Sequence, residues 1–137
     1  MIAERDVIAR AQRVLGFGNA TTSRAWKVQR LDLPNQYYFL VELEAENTPG
    51  LVAIIDAVSG AVTHSARVSH PSLLKTPQEL LGQQLNAGAT MKLVWRPCDA
   101  SRSPLYPLWQ IRTDKDFFYL DQTGRHWRQL EHGGRGG

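Results

Sequence analysis

The chain carries one thiol, Cys98, set between Pro97 and Asp99 with Arg96 and Arg102 nearby. Positive neighbours favour a thiolate and make it nucleophilic. A cysteine nucleophile also needs a histidine held within hydrogen-bond reach. His64, His70, His126 and His132 are the candidates, and none stands beside Cys98 in the sequence, so the thiol reads as structural. A single cysteine also excludes an internal disulfide framework and a four-cysteine zinc site. The histidines lie in two pairs, each six residues apart, and no His-Glu-x-x-His helix is present. Asp56 and Asp121 invite pairing as carboxylates, but each precedes a glycine in a turn, where an aspartate binds backbone amides. Ser101 and Ser103 lack the glycine elbow of a serine hydrolase. Gly16-Phe17-Gly18-Asn19 follows a helix, whereas a phosphate loop needs a strand before it and a helix after it. The expectation is a protein with no catalytic residue, no cofactor and no metal.

Binding is the chemistry that remains. Trp95, Trp109, Phe117, Phe118, Tyr119 and Trp127 interleave with Lys92, Arg96, Arg112, Lys115, Arg125 and Arg128. Aromatics and cations on one sheet face can stack bases and track phosphates. The same alternation also arises when the aromatics form a core and the cations its wet face. Phe117-Phe118-Tyr119 must place an aromatic on each side of its strand, so one is expected at the surface or against a partner. The formal net charge is +3, with eight Lys/Arg against eight Asp/Glu in residues 1–90 and eight against five in 91–137. That balance is mild for a nucleic-acid binder, which usually shows a denser basic stripe.

The elements that position these residues follow from periodicity. Residues 2 to 15 predict a helix with Val7, Ile8, Ala11, Val14 and Leu15 on one stripe, stopped by Gly16 and Gly18. Arg24 to Leu31 predicts a strand, and Asp32 to Gln36 a turn. The central hairpin follows, with strands at Tyr37–Glu44 and Leu51–Asp56, the second apolar enough to be buried on both faces. A turn with Gly60 leads into a strand at Ala61–Val68. Thr76, Pro77 and Glu79 spell a capping box, opening a helix that Leu80, Leu81, Gln84 and Leu85 continue to Asn86-Ala87-Gly88. Strands are expected at Met91–Arg96, Leu108–Thr113, Phe117–Asp121 and Arg125–Glu131. Pro97–Pro107 is a polar, exposed loop, and residues 132–137 a flexible glycine-rich tail.

The order helix, strand, loop, strand, strand, turn, strand occurs twice, anchored by Asp56 to Gly60 and Asp121 to Gly124. The expected fold is α+β, a helix packed on an antiparallel sheet, duplicated as units 1–70 and 71–131 that share a continuous sheet or pack face to face. A helix, an edge strand, an apolar strand and then Asp56, Ser59-Gly60 and Val62 resemble the PepSY domain, well over residues 1–68 and more loosely over 72–131. Ala53-Ile54-Ile55-Asp56, Ser59-Gly60 and the Leu-rich Thr76–Leu85 also resemble the cystatin-like immunity-protein family. Neither resemblance implies a catalytic residue. The first implies a binding or inhibitory module, usually outside the cytoplasm, and the second a cytoplasmic neutraliser of a toxin. Met1 to Asp6 mixes charges without an apolar run, so no signal peptide is read there, and no stretch is apolar enough to span a membrane. The leading expectation is therefore a cytoplasmic protein-interaction module. Its contact surface would include Arg96, Arg102, Tyr106, Trp109 and Phe118, on the loop 97–107 and the strands beside it. Nucleic-acid binding by the basic aromatic second half is the alternative, and an enzyme using Cys98 a third.

Overall fold

The computed structural model describes residues 4–16, 22–44, 50–68, 74–82 and 88–130. The protein is α+β, with two compact units: Met1–Gln29 with Asn35–Leu73, and Arg30–Pro34 with Leu74–Gly137. The end of the first strand and the turn after it thus belong to the second unit, although sequence of the first unit flanks them on both sides.

In the first unit, helix α1 (Glu4–Val14) precedes strands β1 (Thr22–Arg30), β2 (Tyr37–Glu44), β3 (Gly50–Asp56) and β4 (Val62–Val68). The strands pair antiparallel in the order β4-β3-β2-β1. Val7 and Ala11, four apart on α1, pack with Phe39, Val41, Leu43, Leu51, Ile55 and Ala57. That contact is the reason the helix forms: its apolar stripe is buried, and each large side chain so covered contributes about 1.5–3 kcal/mol. Gly16, at φ +67°, stops α1 as expected; Gly18 lies outside the described residues. The apolar run of β3 is buried along its length, as is β2. β2 also carries Glu42, a carboxylate only 3% exposed, whose Oε1 accepts the indole N–H of Trp26 at 2.8 Å.

In the second unit, helix α2 (Pro77–Leu81) precedes β5 (Thr90–Trp95), β6 (Leu108–Arg112), β7 (Phe117–Leu120) and β8 (His126–Trp127), antiparallel in the order β5-β6-β7-β8. The capping box forms: Glu79 N–H donates to Thr76 Oγ1 at 3.2 Å, and Thr76 N–H to Glu79 Oε1 at 3.0 Å. The helix ends earlier than its leucines predict. Gly82 takes φ +70° and its N–H donates to Gln78 O, a left-handed cap that closes α2 after Leu81. Gln84 and Leu85 lie outside the described residues, as do His70, His132 and the glycine tail. β8 is two residues long where seven were expected. Leu31 joins this unit directly, its N–H donating to Trp95 O at 2.9 Å.

Candidate functional site

Register sorts the second sheet into two faces. Leu93, Trp109 and Leu120 lie opposite one another on one face, with Ile111 and Phe118 in the next row, and all five are buried. The other face carries Lys92, Gln110, Tyr119 and Trp127 in one continuous cross-strand row. Thr90, Arg112 and Phe117 form the row beside it. Toward the far end of this second face, Val94, Leu108 and Cys98 are buried under Leu31, Ala100, Tyr119 and Leu130. The near end is open: Thr90, Lys92 and Arg112 are exposed, and Gln110, Phe117, Tyr119 and Trp127 are half-buried. A hollow of about 350 Å³ lies here, lined by Thr90, Met91, Lys92, Gln110 and Arg112.

The rings on this face are held in place. Phe117 and Tyr119 meet edge to face, centroids 5.4 Å apart, and the Arg112 guanidinium lies over Phe117 at 4.7 Å. Arg125 lies over Trp127 at 4.2 Å. The indole N–H of Trp127 donates to Asp121 Oδ2 at 2.8 Å. Asp121 Oδ1 also accepts from the Thr123 N–H at 2.8 Å, the Thr123 hydroxyl at 2.5 Å and the Arg125 N–H at 3.1 Å. Burial alone would push this carboxyl up, but the Thr123 hydroxyl, the Trp127 indole and the two amides together hold it below its ordinary value. Asp121 therefore does two things: it shapes the turn into β8, and it orients a tryptophan on the open face.

The residues expected at a contact surface divide. Arg102 and Tyr106 are exposed, Tyr106 at 47%. Arg96 is half-buried, and its charge helps lower the Asp32 carboxyl, after the hydrogen bond from Arg30. Trp109 and Phe118 are core side chains instead, each 7% exposed. Trp109 spends its indole N–H on Lys75 O at 2.7 Å, and Phe118 stacks on His126 with centroids 4.6 Å apart. Alternation puts them opposite Phe117 and Tyr119, and the apolar face is the one that closes. The loop 97–107 is also less open than its polarity suggests. Cys98 is fully buried, its backbone pairs with Ser101, and its thiol donates to Ser101 O at 3.6 Å. The Ser101 hydroxyl accepts the Trp95 indole N–H at 3.2 Å and donates to Tyr106 O at 2.5 Å. Arg102 pairs with Asp99 at 3.7 Å. Among the described residues, no three His, Cys, Asp or Glu side chains converge as metal ligands, and no helix is long and apolar enough to cross a membrane.

The open face was half legible. Its residue types and their alternation stand in the sequence, but the pairing of Lys92 with Gln110, Tyr119 and Trp127 needs the register. No protein-family model matches the chain, and no curated protein or solved structure is significantly similar to it.

Proposed function

We propose that this protein is a non-catalytic binding module that engages a macromolecule through the open face of the C-terminal sheet. The observation that carries this reading is the row Lys92, Gln110, Tyr119 and Trp127, partly exposed and ordered across four strands. The half-buried rings of Phe117, Tyr119 and Trp127 leave apolar area beside polar and charged side chains, and apolar patches rimmed by polar residues mark interaction sites. The full burial of Cys98 supports the non-catalytic part, because a nucleophile must reach its substrate.

The test is capture from lysate by the native protein and by a variant carrying Lys92→Glu and Arg112→Glu. A ligand kept by the first and lost by the second supports the face. Equal capture by both places binding elsewhere and sinks the reading.

A protein partner held by the loop 97–107 is the second reading, as an inhibitor or immunity-type module in the cytoplasm would use it. What favours it is Tyr106, an exposed ring on a loop braced by Ser101 and Ser103. Duplication of a PepSY- or cystatin-like unit belongs to the same proposal. It is supported by two units that each run from a helix into four antiparallel strands in meander order. In each, an aspartate-to-glycine turn joins the third strand to the fourth, with Gly60 at φ +75° and Gly124 at φ +92°.

A further inference from the structure

We infer that this protein forms a two-fold dimer by pairing strand β4 with β4 of a second copy. β4 (Val62–Val68) is the outer strand of the first unit's sheet, and among the described residues no strand meets its far side. An antiparallel strand turns the N–H and C=O of alternate residues away from its one neighbour, so that side carries a row of backbone donors and acceptors. The strand is open on both faces as well. Ser65 and Arg67, opposite Ala53 and Leu51, are exposed on one face, and His64, opposite Ile54, is exposed on the other. Proteins guard such an edge with lysines, prolines, shortness or a bulge. β4 has seven residues, with no lysine, proline or carboxylate among them. Its bulge leaves only Thr63 without an opposite residue, and His64 to Val68 pair regularly with β3. β8, the outer strand of the second unit, is two residues long and is guarded by its shortness.

β4 itself supplies the strand that fits this edge. A two-fold axis normal to the sheet keeps each face on its own side, so it allows only registers that set a residue opposite itself. The register centred on Ser65, the middle of β4, gives the longest overlap. It sets Ser65 against Ser65 of the second copy, His64 against Ala66 and Thr63 against Arg67. Arg67, the one lysine or arginine of the strand, thus meets a neutral side chain, and no like charges stand opposite each other. Val62 and Ala66, half-buried in the single chain, gain further cover. Pairing β4 with β8 would instead be a heterologous contact that builds rings or filaments, and β8 is too short to carry it.

Sedimentation velocity from low to several hundred micromolar protein tests this. Pairing of one edge buries less than a standard interface of about 1,600 Å², so a monomer–dimer equilibrium that shifts with concentration is expected. Ser65→Lys puts two cations beside the axis and is expected to weaken the dimer about tenfold or more. Ser65→Cys is expected to give a disulfide-linked dimer on mild oxidation, because facing residues of an antiparallel pair stand within the roughly 4.4–6.8 Å that a disulfide spans. The native protein, whose Cys98 is buried, is expected not to link. Ser65 is exposed, and a native circular dichroism spectrum and melt confirm that each variant folds. A monomer at every concentration overturns the proposal, as does a dimer that Ser65→Lys leaves intact or that Ser65→Cys fails to link. Species larger than a dimer overturn the closed two-fold pairing. A labelled peptide of alternating valine and glutamate probes the other occupant: its binding to a protein that stays monomeric overturns self-pairing and gives the edge to an acidic strand.

Discussion

Asp121 is where one side chain has most to answer for. Its carboxylate satisfies two amides, a hydroxyl and the Trp127 indole. Asp121→Ala is expected to destabilise the protein by about 2 kcal/mol, since hydrogen bonds to a charged acceptor are lost together. Chemical denaturation followed by tryptophan fluorescence measures it, and a change within experimental error would remove Asp121 from this role. Asp121 and Asp56 are both held below their ordinary value of 3.8, Asp56 first by the Ser59 amide. A carboxyl depressed in the folded state contributes stability above its unfolded value and loses it as pH falls through the folded one. Unfolding midpoints should therefore stay level at neutral pH and drop below about pH 4, less steeply in Asp121→Asn. Cys98 makes a third residue-scale expectation. Its thiol is fully covered, so alkylation of the native protein should run on the order of a hundredfold slower than in denaturant, limited by local opening. Rapid native labelling at neutral pH would return the thiol to the list of nucleophiles.

Elements in this chain end where backbone chemistry ends them. Helix α2 has an N-terminus set by Thr76, Pro77 and Glu79 and a C-terminus set by Gly82. The capping box was legible because side-chain type and spacing define it. The stop was not, because Leu85, beyond Gly82, keeps helical spacing with Leu81, and a glycine inside such a pattern is tolerated until its φ turns positive. Thr76→Ala should cost about 1 kcal/mol by removing the box, read as a lower thermal midpoint; an unchanged midpoint would mean that packing alone holds α2. The turn after β3 shows the same logic with a tertiary addition. Gly60 is required by its φ of +75°, and the Arg10 side chain from α1 closes over it within about 3.0 Å of where a Cβ would stand. β8 fell short of its expected length because its pairing stops at Trp127, whose ring is drawn back to Asp121. The double-faced burial of β2 and β3 predicts that their amides exchange slowest with deuterated solvent.

At the scale of the molecule, the division into units does not follow the chain. Arg30–Pro34 belongs with the second unit: Leu31 packs on Val94, Cys98 and Leu108, and Arg30 lies over the Trp95 ring at 4.9 Å. A fragment of residues 74–137 therefore lacks part of its own core and should melt below the same unit in the full chain, or fail to fold cooperatively; an equal melting point would show those contacts to be dispensable. By itself the sequence determined the α+β class, the position of nearly every strand, the capping box and the two aspartate turns, because each depends on residues close together in the chain. The tertiary structure alone decided which face of the aromatic strand closes, that Trp109 and Phe118 go inward while Tyr119 and Trp127 stay half-buried on the other face, and that Cys98 and Ser101 are buried within a loop otherwise mostly exposed or half-buried. Period-2 alternation says that two faces exist, but only the neighbours across the sheet, and what packs on them, decide which face water keeps.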